Sequence, residues 1–189
     1  MRLDISQKGN KYTFYKLGIE KPIFKGRHRQ FFFKGDYSEI FNSTDELVAL
    51  VKIGNNIWFP GINRWSKATF IINFPESATS LEITIQNYSK GYWTFEYKNH
   101  QYAFYHHKWH QKSLFKDERQ VARFDKRTVN LFKYDRAFVI ANNDEDELLL
   151  LGIFLAYDML ESYDSDGPNY YGRVQEGVKK IDPDWQPWK

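Results

Sequence analysis

The chain contains no cysteine. That excludes disulfide stapling and thiolate metal centres, and it fits a cytoplasmic protein. No apolar segment is long enough to cross a bilayer as a helix, which takes roughly 20 consecutive apolar residues. Residues Met1 to Asn10 are polar and lack the apolar core of a signal peptide. The two glycosylation-like triplets, Asn42-Ser43-Thr44 and Asn87-Tyr88-Ser89, are therefore read as chance. There is no large excess of charge of one sign. A formal net charge of +3 permits an anionic partner without requiring one. Catalytic signatures are missing too: no phosphate-binding P-loop, G-x-S-x-G elbow, H-E-x-x-H zinc helix or dinucleotide fingerprint occurs. Without cysteine a nucleophile would have to be Ser, Thr, Lys or a carboxylate, and none has a suggestive neighbourhood. The expectation is a protein that is not an enzyme, with no catalytic residues, no metal and no cofactor.

What is present is aromatic. Phe, Trp and Tyr make up 19% of the chain, a share that favours β structure because flat rings pack well on a pleated surface. Short strands are expected at Tyr12–Ile19, Gln30–Tyr37, Leu47–Ile53, Thr69–Phe74, Leu81–Gln86, Tyr92–Tyr97, Tyr102–His106, Ser113–Lys116, Gln120–Phe124, Thr128–Phe132 and Arg136–Ala141. In Leu81–Gln86 the apolar residues Leu81, Ile83 and Ile85 alternate with Glu82, Thr84 and Gln86. Polar turns centred on Asn99, Glu118 and Asp135 read as three hairpins.

After these strands the texture changes. Asp144-Glu145-Asp146-Glu147 leads into Leu148 to Tyr157, a stretch with no polar face. Four acids suit a helix N-terminus, and Asn143 is the N-cap candidate. A helix that is apolar all round is buried on all sides, so Asp144–Glu161 is expected inside the sheet. Evenly spaced strands around one buried helix predict a mainly β fold: a closed antiparallel barrel of about twelve strands. Residues 1–163 form that barrel, with residues 164–189 as a C-terminal tail carrying Tyr170, Tyr171, Trp185 and Trp188.

This order resembles the tubby C-terminal-like fold, which includes the tubby domain, plant LURP-one-related proteins, phospholipid scramblases and small bacterial relatives. The resemblance is carried by Ser113-Leu114-Phe115-Lys116 with Gln120-Val121-Ala122, by Arg136-Ala137-Phe138-Val139-Ile140, and by the acidic-to-apolar helix Asp144 to Leu160 with its Asp158. It covers roughly Phe31 to Tyr163. It implies a closed barrel around a central helix and a binding or scaffold role. No phosphoinositide-binding residue of the tubby domain aligns onto this chain. The scramblases' cysteine-rich segment and membrane span have no counterpart in it.

Three clusters invite a functional reading. His106, His107 and His110 could hold zinc with a carboxylate, but Lys108 and Lys112 oppose a cation there, and a solvated strand end is favoured. Asp144 to Glu147 could hold a hard cation, but a helix start explains those acids without one. Lys21, Lys25, Arg27, Arg29 and Lys34, with Phe24, Phe31, Phe32 and Phe33 among them, form the ligand-binding candidate: cations with rings nearby suit an anionic lipid headgroup. Such a surface requires these cations on one side of the barrel, clear of acidic partners. Nucleic acid is not favoured. The alternative partner is a protein, bound through the tail or through Trp58, Phe59 and Trp65, as a small regulator or inhibitor would; a weaker alternative is a hydrolase with an unrecognised site.

Overall fold

The computed structural model describes residues 1–30, 36–54, 69–87, 92–107, 111–129, 134–163, 179, 182 and 184–188. Among the described residues twelve strands precede one helix. They are β1 (Arg2–Lys8), β2 (Lys11–Lys16), β3 (Phe24–Arg29), β4 (Tyr37–Phe41), β5 (Leu47–Ile53), β6 (Thr69–Phe74), β7 (Thr79–Asn87), β8 (Tyr92–Tyr97), β9 (His100–His106), β10 (Gln111–Lys116), β11 (Arg119–Val129) and β12 (Tyr134–Ala141), followed by α1 (Glu147–Tyr163). Each strand pairs antiparallel with its neighbour in sequence, and β1 pairs with β12 to close the barrel. The mainly β barrel with one C-terminal helix agrees with the sequence pattern.

Strand alternation sets the interior. On β1 Leu3 and Ile5, on β2 Tyr12 and Phe14, and on β7 Leu81, Ile83 and Ile85 all point inward and are buried. The hairpins at Lys98-Asn99 and Asp117-Glu118 turn with positive φ at both residues, the geometry whose twist matches the flanking strands.

Every residue from Leu149 to Leu160 is buried. Strands on opposite sides touch the helix. Phe154 packs edge-on to Tyr12 of β2, Tyr157 meets Phe104 of β9 and Phe124 of β11, and Gly152 faces Ile72 of β6. A Cβ at Gly152 would lie 2.8 Å from Ile72 Cδ1, so glycine lets helix and sheet approach closely. The helix therefore runs through the barrel, and the aromatic inner faces of the strands pack around it.

Several local expectations are corrected. Arg2–Lys8, read as a polar N-terminal segment, is β1, because its polar side chains alternate outward from Leu3 and Ile5. Lys21 to Arg29, where no strand is expected from the sequence, contains β3. The expected strand Gln120–Phe124 and the start of Thr128–Phe132 form one continuous β11 (Arg119–Val129), and residues 130–132 lie outside the described residues. Tyr134 and Asp135, read as a turn, begin β12. The helix starts three residues later than expected, and its cap is Asp146 rather than Asn143: Asp146 Oδ1 accepts the N–H groups of Leu148 at 3.0 Å and Leu149 at 3.2 Å. Of the expected strand Gln30–Tyr37, residues 31–35 lie outside the described residues, and Tyr37 opens β4.

Candidate functional site

The candidate site lies on the outer face of β2, β3 and β4. On β3, residues 24, 26 and 28 point into the barrel, so Lys25, Arg27 and Arg29 point out. Gly26 lies under the rings of Phe14 and Tyr12, where a Cβ would meet Phe14 at 2.9 Å. Its lack of a side chain lets β3 lie flat over those rings with a cation on either side.

Register decides which charges meet. Arg27 stands opposite Lys11 on β2 and opposite Glu39 on β4, and Lys11 stands opposite Lys8 on β1. Three cations therefore sit in one cross-strand row. Like charges directly opposite one another are destabilising. Glu39 does not relieve this row, because its carboxylate accepts Arg29 Nε at 3.1 Å. Among the described residues neither Lys11 nor Arg27 has an ion-pair partner. Lys11, Thr13, Lys25, Arg27, Phe41 and Asp45 line an open groove of about 530 Å³.

The five sequence candidates therefore separate. Lys25 and Arg27 meet in the groove. Lys25 is bound to Asp45 at 2.7 Å and Arg29 to Glu39, so the expectation that these cations stand clear of acids holds for neither. The carboxylates come from β4 and the turn after it, which lie apart from the cations in sequence. Lys21 is exposed in the connection before β3 and does not line the groove. Lys34 lies outside the described residues, as do Trp58, Phe59, Trp65, Tyr170 and Tyr171. Lys11 was missed. Its signal is the β2–β3 pairing, which stays hidden when no strand is expected between Ile19 and Gln30.

A second polar cluster lies inside the barrel, at the C-terminal end of α1. Asp158 accepts Tyr12 Oη and Lys126 Nζ, both at 2.6 Å. His28 points inward, with Nδ1 3.1 Å from Ser38 Oγ and Nε2 3.8 Å from Asp36. Burial lowers the His28 pKa, while Asp36 and Asp158 pull it back up. Lys112 is fully buried with Nζ 4.6 Å over the Tyr157 ring.

His106 and His107 are adjacent on the chain but differently housed. His106 lies inside against Trp93, Phe104 and Tyr157, and burial, reinforced by Lys112, holds its pKa well below the usual value. His107 Nε2 is 2.8 Å from Ser113 Oγ, and burial with Lys112 lowers its pKa to about 4. His107 lies just past the end of β9, and its ring is engaged by Ser113 while that of His106 packs among aromatic rings. His110 lies outside the described residues.

At the other end of the helix the acids are occupied by the barrel. Burial pushes Asp146 up, but Lys98, Tyr97 and the Leu149 N–H outweigh it and hold its pKa below the usual carboxylate range. Burial raises Glu145, opposed by Lys116 at 3.6 Å and by the Tyr102 hydroxyl at 3.2 Å. These carboxylates have cationic and phenolic partners from the barrel.

No protein-family model matches the chain, and comparison with curated proteins and with solved structures finds no match.

Proposed function

We propose that this protein is a non-catalytic binding module whose β2–β3 groove takes a phosphate-bearing anion, such as a phospholipid headgroup. The observation that carries this reading is the row of Lys11 and Arg27. These are two outward cations on adjacent strands, without carboxylate partners among the described residues, at an open groove that also offers the Thr13 hydroxyl, the Lys25 ammonium there being paired with Asp45. A bound phosphate would relieve their mutual repulsion and accept charge-assisted hydrogen bonds from both. The proposal includes membership of the tubby C-terminal-like fold, supported by the twelve-strand closed barrel and its buried helix, and a cytoplasmic location.

Sedimentation with phosphatidylcholine vesicles containing an anionic phospholipid, across a salt series, tests it. Binding is expected to weaken with salt. Lys11→Ser with Arg27→Ser is expected to cost about 1 kcal/mol per charge, roughly thirtyfold together, while thermal stability holds or rises slightly. Vesicle binding that the double change leaves untouched removes the groove from consideration. Absence of vesicle binding, with inorganic phosphate still bound, moves the reading to a soluble phosphate ligand.

A further inference from the structure

The β2–β3 groove has two unlike ends, and strand register sets them. One row places Lys11 opposite Arg27. The row two residues along places Thr13 opposite Lys25, with Phe41 of β4 opposite Lys25 on its other side. In the first row the charge is uncancelled, since neither cation has an ion-pair partner among the described residues. In the second row Asp45 Oδ1 accepts Lys25 Nζ at 2.7 Å, so that end is close to neutral. Its wall is a half-buried ring, Phe41.

Each end asks for a different chemical group. Two cations side by side match a phosphate monoester, which carries close to two negative charges at neutral pH. A phosphate in a nucleic-acid backbone carries only one. The Phe41 ring offers a flat apolar face on which a planar heterocycle stacks. Arg27 and Phe41 are diagonal neighbours across β3 and β4, about 7–8 Å apart at Cα. A single sugar bridges such a gap. The Thr13 hydroxyl and the second, exposed oxygen of Asp45 supply hydrogen-bonding partners for sugar hydroxyls. The groove volume of about 530 Å³ lies within the range of small-molecule sites.

We infer that the groove takes a nucleoside monophosphate, with the phosphate on Lys11 and Arg27 and the base stacked on Phe41. This rests on the reading of the groove as a phosphate site and narrows its ligand to one class. Stacking on a ring tolerates any base, and no side-chain amide lines the groove to select one by its edge. The groove therefore recognises the class rather than a particular nucleotide.

Isothermal titration calorimetry of the intact protein with adenosine monophosphate, ribose phosphate, adenosine and inorganic phosphate tests the inference. Adenosine monophosphate is expected to bind about tenfold tighter than ribose phosphate, and adenosine not measurably. Phe41→Leu should bring adenosine monophosphate down to the level of ribose phosphate and leave ribose phosphate itself unchanged. Phe41→Tyr, which keeps the ring, should preserve the difference. Lys11→Ser with Arg27→Ser should abolish binding of every phosphate compound, with circular dichroism showing the fold kept in each variant. Equal affinity for adenosine monophosphate and ribose phosphate overturns the inference, as does a Phe41→Leu variant that weakens both alike. Either result leaves the phosphate reading of the groove standing. Anionic vesicles bound while adenosine monophosphate is not would also overturn it and assign the groove to a lipid headgroup. If neither vesicles nor any phosphate compound binds, both readings fall together.

Discussion

The two ends of α1 meet the same electrostatic demand by different means. A helix favours negative charge at its N-terminus and positive charge at its C-terminus. At the N-terminus the chain supplies the acids itself, with Asp146 as cap and Glu147 in the first turn. The surrounding strands answer with Lys98, Tyr97 and Lys16. At the C-terminus the last turn holds no basic residue, and the helix even carries a carboxylate, Asp158. Among the described residues the cations come from the barrel: Lys126 bonds Asp158, and Lys112 lies over Tyr157. One end is written in a local run of sequence, whereas the other exists only once β10 and β11 are in place.

The comparison is tested first through what both ends share, the apolar middle. Leu150 is fully buried, and Leu150→Asp would place an unpaired carboxylate there at a cost of several kcal/mol. Circular dichroism and solubility are expected to report an unfolded or aggregated protein. A soluble, cooperatively melting variant would contradict a helix enclosed by strands.

Next comes the end built by topology. Asp158→Ala leaves Lys126, itself largely buried, facing a lost partner, and is expected to destabilise by about 3–5 kcal/mol in urea unfolding. Lys126→Met combined with Asp158→Leu should recover most of that loss, since an apolar replacement of a buried pair is often close to neutral. A double variant as unstable as the single one would mean that Tyr12 and its surroundings depend on the carboxylate itself.

Acid should find the same end. His107, with its pKa near 4 in the folded state, stays neutral where the unfolded chain, near pH 6.5, takes up a proton. The unfolded state therefore binds more protons below pH 6.5, and stability falls from there toward pH 4, by on the order of 3 kcal/mol in total. His106 acts in the same direction. Glu145 acts in the opposite sense, because its raised pKa means that protonation on acidification relieves a burial cost. Melting temperature against pH, with His107→Gln flattening the slope, is the measurement. A pH-independent melt between 6.5 and 4 would remove the histidines from this account.

The smallest effect belongs to the locally written end. Asp146→Ala removes the cap and is expected to cost about 1–2 kcal/mol. Lys98→Met, at an exposed partner of the same carboxylate, should cost less than about 1 kcal/mol. A loss at Asp146 equal to that at Asp158 would erase the distinction between the two ends.

The same distinction explains what was legible in the sequence. The buried helix, its acidic start and the barrel around it follow from an apolar run and strand-length periodicity, signals carried by neighbouring residues. β1 and β3 were not recognised. In β3 the inward positions are Phe24, Gly26 and His28 rather than a clean apolar series, because Gly26 makes room for Phe14 and His28 belongs to the polar cluster around Asp158. That omission also hid the candidate groove, since Lys11 becomes a neighbour of Arg27 only through the β2–β3 register. The pairings of Lys25 with Asp45 and of Arg29 with Glu39 were out of sight for the same reason.

The closing seam has a consequence for how the molecule assembles. The Met1 amino group and the Ala141 carbonyl meet across a sequence separation of 140, and β1 runs along β12 over its whole length. On a growing chain β1 has only β2 beside it until β12 is synthesised, and the segment that fills the interior emerges after all twelve strands. Closure therefore waits on the most distant pairing in the chain, which favours slow folding. Until then an open aromatic sheet presents a bare edge strand and an empty centre, so the nascent protein is a natural client for chaperones.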